Sequence, residues 1–189
     1  MKTLTYIQKK LRLFTGDENG SYAIETALIV PMLLWGMLAT YTFVDGYRMQ
    51  ALNLRATYTI SDLLTRQWNP VDQDFMTGLG RYHEFLTNDS HDTKMRITVV
   101  YYLSDTDEHK LVWSYSNDAS KPKTTKANLK QLKDAIPVLA NADTAIIVET
   151  WMDYKPPFAI GLSETEFANR VITSPRFVPQ LLWTGSTTS

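Results

Sequence analysis

"NGSYAIETALIVPMLLWGMLATYTFV", residues Asn19–Val44, holds one charged side chain, Glu25, close to its start. From Ala27 to Val44 no residue is charged, a run of 18. As a helix rising about 1.5 Å per residue, that run reaches roughly 27 Å, close to the hydrocarbon thickness of a bilayer. Tyr22 and Tyr47 bracket it, where amphipathic rings settle at a membrane–water interface. A basic cluster, Lys2, Lys9, Lys10 and Arg12, lies ahead of the run. That bias expects the N-terminus in the cytoplasm and the larger C-terminal part outside. A cleaved secretory signal has an apolar core of about 7–15 residues and a small-x-small site after it. Here the run is longer and leads into Tyr41-Thr42-Phe43-Val44, so it is expected to stay as an anchor.

Beyond this span, a chain of 189 residues has room for one modest domain. Its 19 Lys and Arg nearly balance its 20 Asp and Glu, so bulk charge gives no reason to expect a nucleic-acid partner. The absence of cysteine excludes disulfides, thiolate metal sites and a cysteine nucleophile.

A carboxylate at the bilayer centre costs at least ~2.5 kcal/mol, less toward the interface. Glu25 precedes the uncharged run by two residues, where it can reach the headgroups, yet its setting is patterned. A basic leader ends in Gly20, Ser21 follows, and Glu25 is the fifth residue after the glycine. Together with Ala23, Ala27 and the "LIVPMLL" of Leu28–Leu34, this resembles the class III signal of type IV pilins. Within that group it looks most like the TadE/TadG-like minor pilins, or pseudopilins, of tight-adherence (Tad, Flp) type IVc pilus systems. The likeness is close over residues 12–50 and loose afterwards. It implies that a membrane prepilin peptidase cuts between Gly20 and Ser21. The new ammonium at Ser21 then lies about one turn from Glu25, and in the family's assembly Glu25 pairs with the N-terminal amine of a neighbouring subunit. Flp-type major pilins are much shorter and carry tyrosine directly after this glutamate, where the present chain has Thr26. That departure favours a minor or pseudopilin role. The resemblance further implies a bacterial inner-membrane location, other Tad pilins and the assembly platform as partners, adhesion as the setting, no catalysis and no cofactor.

Pro31 lacks an N–H and leaves the Ala27 carbonyl without its helical donor, a candidate kink. Gly36 and Ala39 are small enough to let another helix approach. Past the span, Met49, Leu52, Ala56, Ile60 and Leu63 recur at helical spacing, with Arg48, Arg55 and Asp62 on another face. One helix is therefore expected from about Ser21 to Gln67. The alternative is two helices broken at Asp45-Gly46. The expected organisation is a leader at 1–20, a transmembrane helix at 21–45, its continuation at 46–67 and an outer domain at 68–189.

In that domain, Asn69 as cap and Pro70 as first helical residue open a helix running to about Leu86. "KMRITVVYYLS" (94–104) and "HKLVWSYS" (109–116) form a hairpin, and "TAIIVETWMDY" (144–154) is a third strand. A short helix is expected at 128–135, a capped one from Ser163 with Glu166, and an edge strand at 171–173 or 180–183. The fold class is α+β, a small antiparallel sheet against helices. His83, His91 and His109 lack metal-ligand spacing and read as surface or loop residues, Glu149 and Asp153 as solvated strand residues. Two other functions fit the same sequence: a type II secretion-like pseudopilin, and an unprocessed single-span sensory or binding module.

Overall fold

The structure is a computed structural model that describes residues 19–88, 91–137 and 139–185. The leader expected at 1–20 thus lies outside the described residues up to position 18, and Asn19 and Gly20 open the first helix.

Helix α1 (Asn19–Thr65) runs unbroken for 47 residues, through Pro31 and through Asp45-Gly46. Its first part, to Val44, belongs to one compact unit together with Pro157–Leu162; the remainder belongs to a second. In the first unit the helix is apolar all round and bare, with Leu28, Met32, Leu33, Trp35 and Met37 all exposed. Only 6% of its most apolar stretch is buried, which a soluble core helix would not show. It is long and apolar enough to cross a membrane. Thr40 and Thr42 donate their hydroxyls to the carbonyls of Gly36 (2.8 Å) and Leu38 (2.9 Å), which hides two polar groups inside the helix.

The second unit holds a four-stranded antiparallel sheet of order β2-β1-β3-β4: β1 (Thr93–Leu103), β2 (Glu108–Ser116), β3 (Thr144–Tyr154) and β4 (Thr165–Thr173). Period-two alternation assigns one face to Met95, Ile97 and Val99 of β1, Trp113 and Tyr115 of β2, and Ile146 and Val148 of β3. These pack with Ile60 and Leu64 of α1, Met76 and Leu79 of α2 (Gln73–Leu86), and Leu181. The opposite face buries a smaller cluster in which Val100, Ala145 and Ile147 meet Leu129 of α3 (Lys126–Gln131) and Ile136. Between Val99 and Val100 the β1–β2 register shifts, so Val112 is an extra residue on the edge strand.

Three local expectations are corrected. Asp72, rather than Asn69, caps α2, accepting from Phe75 N–H at 2.8 Å. The helix starts late because Val71 is held extended: its N–H donates to Leu182 O (2.9 Å) and its carbonyl accepts from Thr184 N–H (2.9 Å). The capped helix from Ser163 is absent. Glu166 instead lies in β4 opposite Asp153, where its carboxylate accepts from Lys121 (2.6 Å) and meets Lys94 (3.4 Å). The edge strand expected at 171–173 is the end of the nine-residue β4, whereas 180–183 contributes only the bridge from Trp183 to Val71.

Candidate functional site

Of the residues singled out in the sequence, Glu25, Pro31, Gly36 and Ala39 all lie on the first part of α1. Gly20 and Ser21 form its opening backbone. Glu25 is exposed, flanked by exposed Tyr22, Ile24, Leu28 and Ile29. Among the described residues no ion pair or hydrogen bond engages its carboxylate. Gly36 faces open space, with nothing within 4 Å of where a Cβ would stand. With Thr40 it floors a shallow groove walled by Ile29, Met32, Leu33 and Met37. Ala39 does not line that groove. Among the described residues the helix therefore carries an exposed acidic group near its head and, further along, a shallow groove floored by Gly36 and Thr40.

The second unit contains two polar constellations that sequence reading misplaced. The first is a buried seam along α1. Asn53, Thr57 and Ser61, spaced four residues apart, are almost fully buried beside Ala56, Ile60 and Leu64, while Leu63 of the expected apolar stripe is 38% exposed. Asn53 donates through Nδ2 to Phe167 O (3.1 Å) and accepts through Oδ1 from His83 Nε2 (3.0 Å). Thr57 and Thr150 share a hydroxyl–hydroxyl bond of 2.6 Å, and Ser61 and Thr173 one of 2.8 Å. His83 is fully buried, not a surface residue. Its Nδ1 has no hydrogen-bond partner, and burial pushes its pKa down to about 4.

The second constellation lies on the opposite face of the sheet. Glu149, expected to be solvated, is 2% exposed and held between Arg96 (2.6 Å) and Arg170 (2.8 Å). The Arg96 guanidinium and the Lys121 ammonium both lie over the Trp151 ring, at 5.1 and 5.0 Å. Lys94 bridges Asp153 (3.0 Å) and Glu166 (3.4 Å), and the hydrogen bond to Asp153 raises its pKa. At the end of this face an open polar cleft of about 890 Å³ is lined by Asp92, Asp118, Asp153, Glu164 and Lys155, among others.

On this face three carboxylates, Glu149, Asp153 and Glu166, are paired with four cations, Arg96, Arg170, Lys94 and Lys121. The buried Glu149 carboxylate is engaged by two guanidinium groups, and the His83 ring bonds the Asn53 amide. No group of three or more His, Cys, Asp or Glu suited to a metal ion occurs among the described residues. Compared with known proteins, the chain matches no family model, no curated protein and no solved structure.

Proposed function

We propose that the chain is a minor pilin or pseudopilin, a non-enzymatic subunit that a prepilin peptidase processes between Gly20 and Ser21 before it takes part in assembling a Tad-type pilus. One observation carries this reading. A glycine followed five residues on by a glutamate heads an exposed apolar helix, and the same helix continues without a break into the packing of a folded domain. A membrane anchor needs only the apolar run. It has no use for an acidic residue at the head.

The physical logic concerns charge in a poorly solvated place. An ammonium released at Ser21 lies about one turn from Glu25, and opposite charges interact far more strongly at the lipid boundary than in water. Before assembly the carboxylate is a modest liability. In a filament it is answered by the terminal amine of an adjoining subunit, and that pairing selects the axial register. The bare groove floored by Gly36 and Thr40 offers a close approach for a second helix in the same step. In this reading the protein sits in the bacterial inner membrane with its N-terminus cytoplasmic, alongside other Tad pilins and the assembly platform.

The test is co-expression with a Tad prepilin peptidase, followed by N-terminal sequencing and mass measurement. Processing yields a chain beginning at Ser21. A chain that keeps its leader beside an active peptidase overturns the reading. Glu25→Gln separates it from a single-span sensor: the variant inserts and is cleaved, yet fails to enter filaments, while a sensor keeps its output.

A further inference from the structure

We propose that the β3–β4 connection, Pro157–Leu162, is a second membrane contact, an apolar turn that lies in the interfacial layer beside the outer end of the α1 span. The inference rests on α1 being a span; it is independent of leader cleavage and of pilus assembly.

From Pro156 to Ser163 the connection carries no charge, and Lys155 and Glu164 are its nearest charged neighbours. Such composition is unusual for a loop, which ordinarily runs over a wet surface. Its apolar side chains are not tucked away: Phe158 is 40% exposed, Ala159 is exposed, and Ile160 and Leu162 are half-buried. The segment is seated against the helix. The Phe158 ring meets Tyr41 edge-on, with centroids 6.1 Å apart and planes at 67°. Gly161 adopts φ +76, which favours glycine, and a Cβ there would stand 3.3 Å from the Phe43 ring. Ile160 N–H donates to Phe158 O at 2.8 Å, which closes the turn.

These contacts fix the depth. Tyr41 lies four residues before Asp45, the first charge beyond the uncharged run, so Phe158 touches the helix roughly 6 Å inside that boundary. Interfacial elements bury their apolar faces about 5–10 Å into the headgroup and acyl boundary. Deeper placement is excluded by the backbone, whose irregular N–H and C=O groups need water or headgroups. Continuity with the span thus names the occupant, phospholipid at the outer interface.

The chain has no cysteine, so single nitroxide labels can be introduced one at a time. Ala159→Cys tests the loop, Leu33→Cys the middle of the span and Thr106→Cys the exposed β1–β2 turn, all in the full chain in phosphatidylethanolamine–phosphatidylglycerol vesicles. Ala159 is exposed, so its label leaves the packing intact. The expected result at 159 is a nickel-chelate collision rate severalfold below that at 106, with oxygen collisions raised and a depth between 106 and 33. Water-like values at 159 with lipid-like values at 33 overturn the proposal while sparing the span. Shielding of 159 from both relaxants also overturns it, because a second protein chain then covers the loop. Water-like values at 33 remove the span itself, and the inference with it.

Discussion

At position 83 a histidine ring leaves water for a single hydrogen bond, to Asn53, and Nδ1 goes unanswered. Protonating that ring would place a charge in a dry interior, which is why its pKa falls from 6.5 to about 4. A histidine held neutral by the fold contributes stability that is complete above about pH 6.5. As pH falls toward 4 the unfolded chain takes up the proton first, and the contribution is lost. Its size is up to about 3 kcal/mol, from 1.36 kcal/mol per pKa unit. Urea unfolding of the outer domain between pH 7 and pH 4 is therefore expected to show a steeper loss in the parent than in His83→Gln; equal slopes refute the assignment. Glu149 poses the complementary case, a buried carboxylate shared by two arginines. Glu149→Gln leaves Arg96 and Arg170 facing each other, and a loss of about 3 kcal/mol is expected, the lower end for breaking a buried pair because Arg170 can regain water. A change below about 0.5 kcal/mol in the urea midpoint analysis would show the triad to be ornamental, as surface substitutions are. Neither burial was legible in the sequence. His83 is one polar residue on an amphipathic helix, and Glu149 alternates onto the face opposite the main core. Only the chain crossing that face decides whether it is wet, and alternation does not report on crossings.

At the level of elements, strong periodic patterns translated directly and polar ones did not. The long apolar helix, the hairpin and β3 stand where the sequence placed them, because continuous apolar or β-branched runs admit few alternatives. Only the end of β4, at 171–173, was expected as a strand, and its start was read as a capped helix, because "TEFANRVIT" mixes polar and small residues that show no clear alternation until they pair with β3 on an edge. Along the outer half of α1 the expected apolar stripe is buried at Ala56 and Ile60 and half-buried at Met49 and Leu52, with only Leu63 turned out. What the apolar spacing did not reveal is the polar row beside it, where Thr150, Thr173 and the Phe167 carbonyl supply partners for Asn53, Thr57 and Ser61. Such a seam fixes how the helix lies along the sheet more tightly than an apolar stripe, since a shift of one turn leaves several buried hydroxyls unpaired. Helix α2 shows how local chemistry sets an element's boundary, with Val71 tied to the C-terminal segment and Asp72 left to cap. Asp72→Ala is expected to lower the unfolding free energy by about 1 kcal/mol with an unchanged urea slope. Retention of full stability would mean that another group caps the helix, contrary to the geometry.

For the whole molecule, the decisive fact is where the buried clusters draw their residues. Both apolar clusters and the polar seam use only side chains from Asn53 onward, and none from the bare part of α1. Within the second unit, Tyr154 Oη donates to Asp45 Oδ2 at 2.9 Å. An outer fragment starting at Tyr47 therefore retains its core and is expected to fold without detergent, with a cooperative urea transition and a circular-dichroism spectrum containing both helix and sheet. It should nonetheless be stickier than its charge suggests, because Phe158 and its neighbours lose the helix segment they rest on. A fragment starting at Ala56 retains Ile60 and Leu64 but loses Asn53, and with it the partner of His83 and the bond to the Phe167 carbonyl. Buried polar groups left unsatisfied cost about 1–3 kcal/mol each, a large share of the stability of a domain this size. The shorter fragment should accordingly unfold at clearly lower urea or fail to accumulate. If the two fragments prove equally stable, the seam merely fills space, and the outer half of α1 is held on the sheet by the apolar contacts of Ala56, Ile60 and Leu64.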